Sequence, residues 1–201
     1  MTTNREKRLE REEAILHTLM KLDLLSRSQL QEIHQLGGNR NASRVMKQLE
    51  PYVSVIRRAD DSIYFLNKAG RERVGSENVI TKSTPYHHTL LRNDVYCYYK
   101  PRMWKNEYEI KVRDFHIRSD AVFMIKDKHF LLEVDNEQKM SVNKEKLNEY
   151  FRFMNADIWQ KSNKGTFPTI LFYVLSDYRK AKLLEYNPGI PLTVLTKKDL
   201  K

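Results

Sequence analysis

The segment SDAVFMIKDKHFLLEVD spans residues 119–135 and predicts a β-hairpin. The segment predicts strands over Asp120–Ile125 and His129–Asp135, with Asp127-Lys128 in the turn between them. The apolar run Phe130-Leu131-Leu132 indicates that the second strand is buried. A buried strand of this kind predicts a β-sheet in the C-terminal half of the chain.

Three carboxylates lie near the ends of this hairpin. Asp120 opens the first strand, and Glu133 and Asp135 lie two positions apart on the second. Side chains two apart in a strand share a face, so we expect these acids to form a site for a hard cation, Mg²⁺ or Mn²⁺. If the site is active, Asp120 and Glu133 hold the metal, which activates water for phosphodiester hydrolysis.

Nearby charges bear on this candidate site. Lys144 and Lys146, at the start of the next predicted helix, are candidates to neutralise the acids or a phosphate, and Glu107 or Glu109 is a candidate further carboxylate. We expect Asp120 and Glu133 to lie side by side, which raises the pKa of one of them unless a cation or a lysine neutralises the pair. The alternative is that Glu133 and Asp135 simply end a strand in water.

The remaining C-terminal patterns predict an alternation of helices and strands in the order α-β-β-β-α-β-α-β. Together they predict one mixed sheet flanked by helices, and the apolar strand Thr169–Leu175 is expected at its centre. Helices are predicted over Tyr86–Tyr99, Asn143–Asn155 and Tyr178–Glu185, and further strands over Glu107–Arg113 and Leu192–Leu195.

The N-terminal patterns predict three helices followed by a hairpin, the plan of a winged helix-turn-helix. Ser26 and Gln29 form a capping box at the start of the second helix, and Gly37-Gly38 ends it. Helices are predicted over Glu10–Leu22, Ser26–Leu36 and Asn39–Leu49, with Asn39 capping the third, strands over Tyr52–Arg58 and Ile63–Leu66, and a helical turn over Asn67–Val74.

The third helix has the composition of a recognition helix. Its apolar side chains recur at helical spacing, and no acidic residue lies between Asn39 and Leu49. Arg pairs with guanine edges, Asn with adenine edges and Lys with phosphate, so the polar face predicts contact with double-stranded DNA. The alternative is an ordinary solvated face or a protein-interaction module. The predicted DNA-binding residues are Arg40, Asn41, Ser43, Arg44 and Lys47 on this helix, with Arg57 and Arg58 on the wing.

The amino-acid composition favours a polyanion as the binding partner. The 201 residues carry 36 Lys and Arg against 26 Asp and Glu, a net charge of +10. One cysteine excludes an internal disulfide, and the glycines form no phosphate-binding loop. We expect a cytoplasmic protein without a membrane partner. The polar residues 78–85 predict a boundary between a winged helix-turn-helix domain (1–78) and an α/β domain (85–201), an α+β protein overall.

These motifs carry a resemblance. Ser119-Asp120 and Glu133-Val134-Asp135, within the predicted sheet order, resemble the PD-(D/E)XK nuclease-like fold, although Asp135 stands where that fold has lysine. With the preceding winged helix, the whole pattern is similar to the replication-relaxation family of plasmids and integrated elements. Its further motifs are Tyr86-His87-His88-Thr89-Leu90-Leu91, Asn93-Asp94, Ser119-Asp120-Ala121-Val122-Phe123, Leu132-Glu133-Val134-Asp135 and Lys146-Leu147 with Tyr150.

The resemblance implies a double-stranded DNA-binding protein acting in replication, maintenance or transfer of a plasmid or mobile element. Two alternatives stay open: a Mg²⁺- or Mn²⁺-dependent endonuclease targeted by the winged helix, and a transcriptional regulator with a degenerate nuclease-like domain. The missing lysine favours a degenerate, non-catalytic domain. The resemblance also implies an alternative, because the lysine of this fold sometimes lies on the neighbouring helix, where Lys144 or Lys146 could serve. A homodimer and contacts with replication or relaxase proteins are further expectations.

Overall fold

The computed structural model describes residues 3–200, and the chain divides into two compact units between Cys97 and Tyr98. Each unit combines helices with a β-sheet, so the protein is α+β. Within the described residues, no helix has the length and apolar character needed to cross a bilayer.

The first unit consists of helices around a small antiparallel sheet with the strand order β1-β3-β2. Its core is formed by apolar side chains of the first three helices, among them Ile15, Leu19, Leu30 and Val45. The elements are α1 (Asn4–Leu22), β1 (Leu24–Ser26), α2 (Arg27–His34), α3 (Asn39–Gln48), β2 (Val53–Ile56), β3 (Ile63–Leu66), α4 (Lys68–Val74) and α5 (His87–Tyr99).

The helix ends of this unit largely follow the local sequence signals. Ser26 and Gln29 form the predicted capping box at the start of α2. The predicted cap at Asn39 is wrong, because Gly38 holds the extended N-cap position and Asn39 is the first helical residue. The three-residue strand β1 was not predicted, since its short apolar run carries no alternation and its pairing partner, β3, lies about forty residues downstream.

Helix α5 packs with the first unit rather than the second, as far as Cys97. The buried Asn93 amide donates to the carbonyl oxygens of Leu22 and Leu24, at 3.0 and 2.7 Å. Arg92 donates to the Asp23 carboxylate at 2.8 Å. The domain boundary predicted from the sequence, at residues 78–85, lies before this helix. The polar segment there indicates a loop, but it does not indicate which of the two units the following helix packs with.

The second unit has one five-stranded sheet in the order β4-β5-β6-β7-β8. Its first three strands are antiparallel and its last three parallel, which confirms the predicted mixed sheet. The elements are β4 (Trp104–Val112), β5 (Phe115–Ile125), β6 (Lys128–Asp135), α6 (Met140–Asn155), α7 (Ile158–Ser162), β7 (Thr169–Val174), α8 (Asp177–Tyr186) and β8 (Leu192–Leu195).

Two expectations about this sheet are wrong. Strand β5 begins at Phe115, so Asp120 lies inside the strand rather than opening it. The middle strand is β6, whereas Thr169–Val174 is the fourth. Apolar side chains on both faces of β7 indicate that both faces are covered, and this is equally true of any interior strand.

The hairpin of β4 and β5 is distorted near its middle. Asn106 is paired with Ala121, and Tyr108 is paired with Ser119. Glu107 lies between these two pairs and has a left-handed φ of 47°. Beyond this point, residues 108–119 form an extension of the hairpin that we call the arm. The arm packs against the core on the side of α6, where the ring of Phe115 lies 5.3 Å from that of Phe153.

Candidate functional site

Asp120 and Glu133 lie beside each other where β5 and β6 stop pairing. The last paired residues are Ala121 and Leu132. One position further, the Asp120 carboxylate accepts a hydrogen bond from the backbone N–H of Val134 at 2.7 Å. The Asp120 carboxylate thus accepts a hydrogen bond of the kind that a backbone carbonyl accepts in a regular strand pair. The expected proximity of these two acids is present.

Glu133 is 2% exposed and is held by two side chains of α6. The Lys146 ammonium and the Tyr150 hydroxyl each donate to one of its carboxylate oxygens. These donors are four residues apart and therefore lie on one face of the helix, above β6. The resulting cluster of Asp120, Glu133, Lys146 and Tyr150 is called the acid–lysine cluster below.

Burial dominates the electrostatics of this cluster. Removal from water raises the pKa of Glu133 to about 7, with Lys146 opposing this shift and the charge of Asp120 adding to it. The direction of the expected shift is present, but burial rather than repulsion by Asp120 is its main cause, and Lys146 does not cancel it. Burial alone would lower the pKa of Lys146, but Glu133 outweighs it and the pKa is raised. The pKa of Tyr150 is raised by burial and by the Glu133 charge.

Lys144, the other predicted lysine, does not join the cluster. Its ammonium lies 4.6 Å from the centre of the Tyr186 ring, on another side of α6. Positions 144 and 146 are separated by about 200° around a helix axis, so both cannot face the same carboxylate. Both positions lie inside the predicted helix Asn143–Asn155, so the sequence already indicates that only one of the two lysines can face a given carboxylate.

Asp135 is also separate from the cluster and has its own cation. Arg179 donates to both of its carboxylate oxygens, with Nη2 2.8 Å from Oδ1, and the backbone N–H of Gln138 donates to Oδ1 at 3.1 Å. Asp135 is 1% exposed, so this bidentate pair neutralises a buried charge. Sequence reasoning missed Arg179. The available signal was its place in the first turn of the helix that follows the neighbouring strand.

The carboxylates in this region do not fit a divalent cation as they are arranged. Both oxygens of Glu133 are engaged, and across residues 3–200 no three His, Cys, Asp or Glu side chains converge to hold a metal. Glu107 pairs with Arg118 at 2.7 Å, and Glu109 pairs with Lys111 at 2.9 Å and with His116. The expected three-acid site is therefore not formed.

The predicted DNA-binding residues of α3 lie together on one surface. Arg40, Ser43, Arg44 and Lys47 are exposed, while Ala42, Val45 and Met46 are buried on the opposite side.

Asn41, in contrast, is half-buried and its amide group is used within the unit. It donates to the Leu36 carbonyl at 2.7 Å and accepts from Arg44 Nη2 at 2.7 Å. Asn41 thus orients Arg44.

A groove of about 330 Å³ separates α3 from the β2–β3 hairpin. Its apolar floor includes Met46, Val53 and Tyr64, and Lys47 and Arg57 lie among its lining residues.

Arg58 lies in the turn that joins β2 to β3. It donates to the Tyr86 hydroxyl at 2.9 Å and pairs with Asp60 at 3.3 Å. Arg57 and Lys47 therefore line the same groove, while Arg58 ties the turn to the residue that precedes α5.

The comparisons with known proteins are as follows. No curated protein matches the chain. A crystal structure of protein VC1899 from Vibrio cholerae is 12% identical, with a TM-score of 0.34 over 96% of this chain and 50% of that one. Can2 from Sulfobacillus thermosulfidooxidans, in complex with cyclic tetra-adenylate, is 12% identical, with a TM-score of 0.33 over 95% of this chain and 50% of that one. The chain spans about half the length of both, and likeness at this level does not establish a common fold.

A family model gives a stronger result. The model described as replication-relaxation matches residues 16–170, which is more than half of the chain and runs from α1 into β7. The matched region contains both the basic face of α3 and the acid–lysine cluster. The chain belongs to the replication-relaxation family.

Proposed function

We propose that this protein binds double-stranded DNA and acts in the replication, maintenance or transfer of a plasmid or integrated mobile element. Its family supports a role in replication or relaxation of such DNA. In this proposal the first unit is a winged helix-turn-helix in which α3 enters the major groove and the β2–β3 hairpin is the wing.

The observation that carries the proposal is the exposed basic face of α3. Arg40, Arg44 and Lys47 face solvent, and Arg57 of the hairpin lies across the groove from Lys47. Arg44 is the candidate for reading a base edge, because Asn41 already holds its guanidinium in one orientation. Lys47 and Arg57 are suited to phosphates, which fix the register of the protein on the duplex.

The second unit is proposed to be a nuclease-like domain that does not cleave. Glu133 is held by Lys146 and Tyr150, and Asp135 by Arg179, so a catalytic cation would have to compete with donors, two of them cationic, for both acids. The arrangement still brings two acids and a lysine together, which is the observation that favours the alternative of a metal-dependent endonuclease.

The test of DNA binding is equilibrium titration of the full chain with duplex DNA from the element that encodes it. Replacing Arg40, Ser43, Arg44 and Lys47 together by alanine is expected to abolish tight binding. Lys68→Ala, an exposed lysine on α4, serves as the matched control. Wild-type affinity in the fourfold variant would refute the assignment of α3. Promoter DNA bound in preference to replication or transfer sites would instead favour the regulator.

A further inference from the structure

The second unit contains a cleft that neither the acid–lysine cluster nor the proposed duplex-binding surface uses. It has a volume of about 400 Å³ and lies between the arm, the sheet and α7. The arm contributes Tyr108, Ile110 and Val112, and the opposite walls include Phe153 and Trp159. This volume is within the range of pockets that hold small molecules or single residues of a polymer.

Aromatic side chains share the walls of the cleft with aliphatic ones. The His129 ring meets the Trp159 ring edge to face at 5.5 Å, and the Lys105 ammonium lies 5.5 Å from the centre of the Tyr108 ring. Tyr108, His129 and Trp159 are only half-buried, so part of each side chain remains accessible to a ligand in the cleft. Aromatic rings of this kind are suited to stacking on a planar, aromatic ligand.

Polar groups around the cleft favour a nucleobase over a purely apolar ring. Lys105 is exposed and Ser162 and Asn163 line the wall, so a phosphate and base edges both find partners. Nucleobases carry both acceptors and amino donors along their edges, and the Ser162 hydroxyl and the Asn163 amide are side chains that pair with such groups. The net charge of +10 favours an anionic ligand over a neutral one.

We propose that this cleft holds one nucleobase by stacking on its aromatic walls. The inference rests on the proposed DNA-binding function only for its preferred source, an unpaired DNA strand from which a base is turned out. The same chemistry would also accept the base of a free nucleotide, and these two sources are distinguishable by experiment.

The experiment uses the full chain with Trp104→Phe, which leaves Trp159 as the single tryptophan and keeps a ring stacked on Phe123. Trp159 fluorescence is measured during titration with single-stranded oligodeoxynucleotides, with abasic strands of equal length, and with deoxynucleoside monophosphates. We expect saturable quenching by the base-containing strand and none by the abasic strand. Equal affinity for the monophosphate would identify a free nucleotide as the source.

A second pair of variants tests the stacking itself. In the same background, Tyr108→Ala is expected to weaken oligonucleotide binding about tenfold, in line with the loss of one stacked base. Tyr178→Ala, a highly exposed tyrosine on α8, is the matched control and should have no effect. Quenching by abasic strands, or unchanged affinity in Tyr108→Ala, would overturn the proposal. Failure of duplex binding through α3 would leave the proposal for the cleft intact, because duplex binding is measured in a separate experiment with the α3 variants.

Discussion

At the scale of single residues, the structure separates side chains that the sequence treats as equivalent. Asn41 and Arg44 both have side chains suited to DNA, yet the amide of Asn41 is consumed by Leu36 and by Arg44 itself. Glu133 and Asp135 share a strand and a face, yet each has a different cation. Residue type and spacing predict which groups are available, and only tertiary contacts determine which of them remain accessible.

The first prediction distinguishes base reading from phosphate contact on α3. Arg44→Ala is expected to weaken binding to the preferred sequence by about 1–3 kcal/mol and to reduce discrimination between sequences. Lys47→Ala is expected to weaken binding to all duplexes alike and to lower the slope of log affinity against log salt by about one. Titrations at several salt concentrations measure both effects. An Arg44→Ala protein that discriminates between sequences like the wild type would contradict the assigned role.

The second prediction concerns the buried carboxylate of Glu133. Its pKa is raised from 4.5 to about 7 in the folded chain, so the native state binds more protons than the unfolded state between these pH values. The free energy of unfolding therefore falls as pH rises through this window, by up to about 1.4 kcal/mol per pH unit, and this cost is fully present above pH 7. Urea denaturation across this range should show the decline in the wild type and lose it in Glu133→Gln.

Glu145→Gln provides the control for this pH dependence. Glu145 is an exposed residue on the same helix, and its replacement should leave the decline of stability with pH unchanged. If Glu133→Gln kept the wild-type decline, another group would be responsible for it.

At the scale of helices and strands, local sequence signals predicted whether an element exists better than where it begins and ends. The capping box of α2 and the strand Ile63–Leu66 are present as predicted, because both depend on neighbouring residues in the sequence. Strand β5 begins five residues earlier than expected and α7 was missed. The distortion at Glu107 could not be predicted, since glutamate has no local preference for the left-handed conformation.

The third prediction concerns the contact between α4 and the segment before β2. Gly70 is buried, and a Cβ atom there would lie 2.0 Å from the backbone carbonyl oxygen of Tyr52, a group that cannot move aside cheaply. Gly70→Ala is therefore expected to destabilise the first unit by about 1–3 kcal/mol, measured by chemical denaturation. Gly38→Ala has open space and an extended backbone, so the loss of a better N-cap residue and the gain from a less flexible unfolded chain, each about 0.5–1 kcal/mol, are expected nearly to cancel. Equal stabilities of the two variants would contradict the close approach.

At the scale of the whole molecule, the order of elements was predictable and the division into units was not. The mixed sheet followed from apolar runs and short turns, and the family from motifs spread over most of the chain. The placement of α5 depended on Arg92 and Asn93, whose partners in residues 22–24 lie about seventy positions away. Spacing along the sequence carries no information about such distant pairs.

The fourth prediction concerns catalysis by the full chain. Incubation with supercoiled, linear and single-stranded DNA plus Mg²⁺ or Mn²⁺ is expected to give binding without cleavage, because the carboxylate oxygens of Glu133 and Asp135 are already engaged. Agarose and denaturing gels measure the products. Nicking that disappeared in both Asp120→Ala and Glu133→Ala would establish the endonuclease instead.

The pairing of Asp135 with Arg179 also constrains which single substitutions the second unit tolerates. Asp135→Lys alone would bury two cations against each other, at a cost of several kcal/mol. Loss of Arg179 alone would leave an unpaired buried carboxylate, with a similar penalty. The two positions are therefore coupled in sequence design, and a lysine at position 135 is expected to be tolerated only when Arg179 is replaced in the same step.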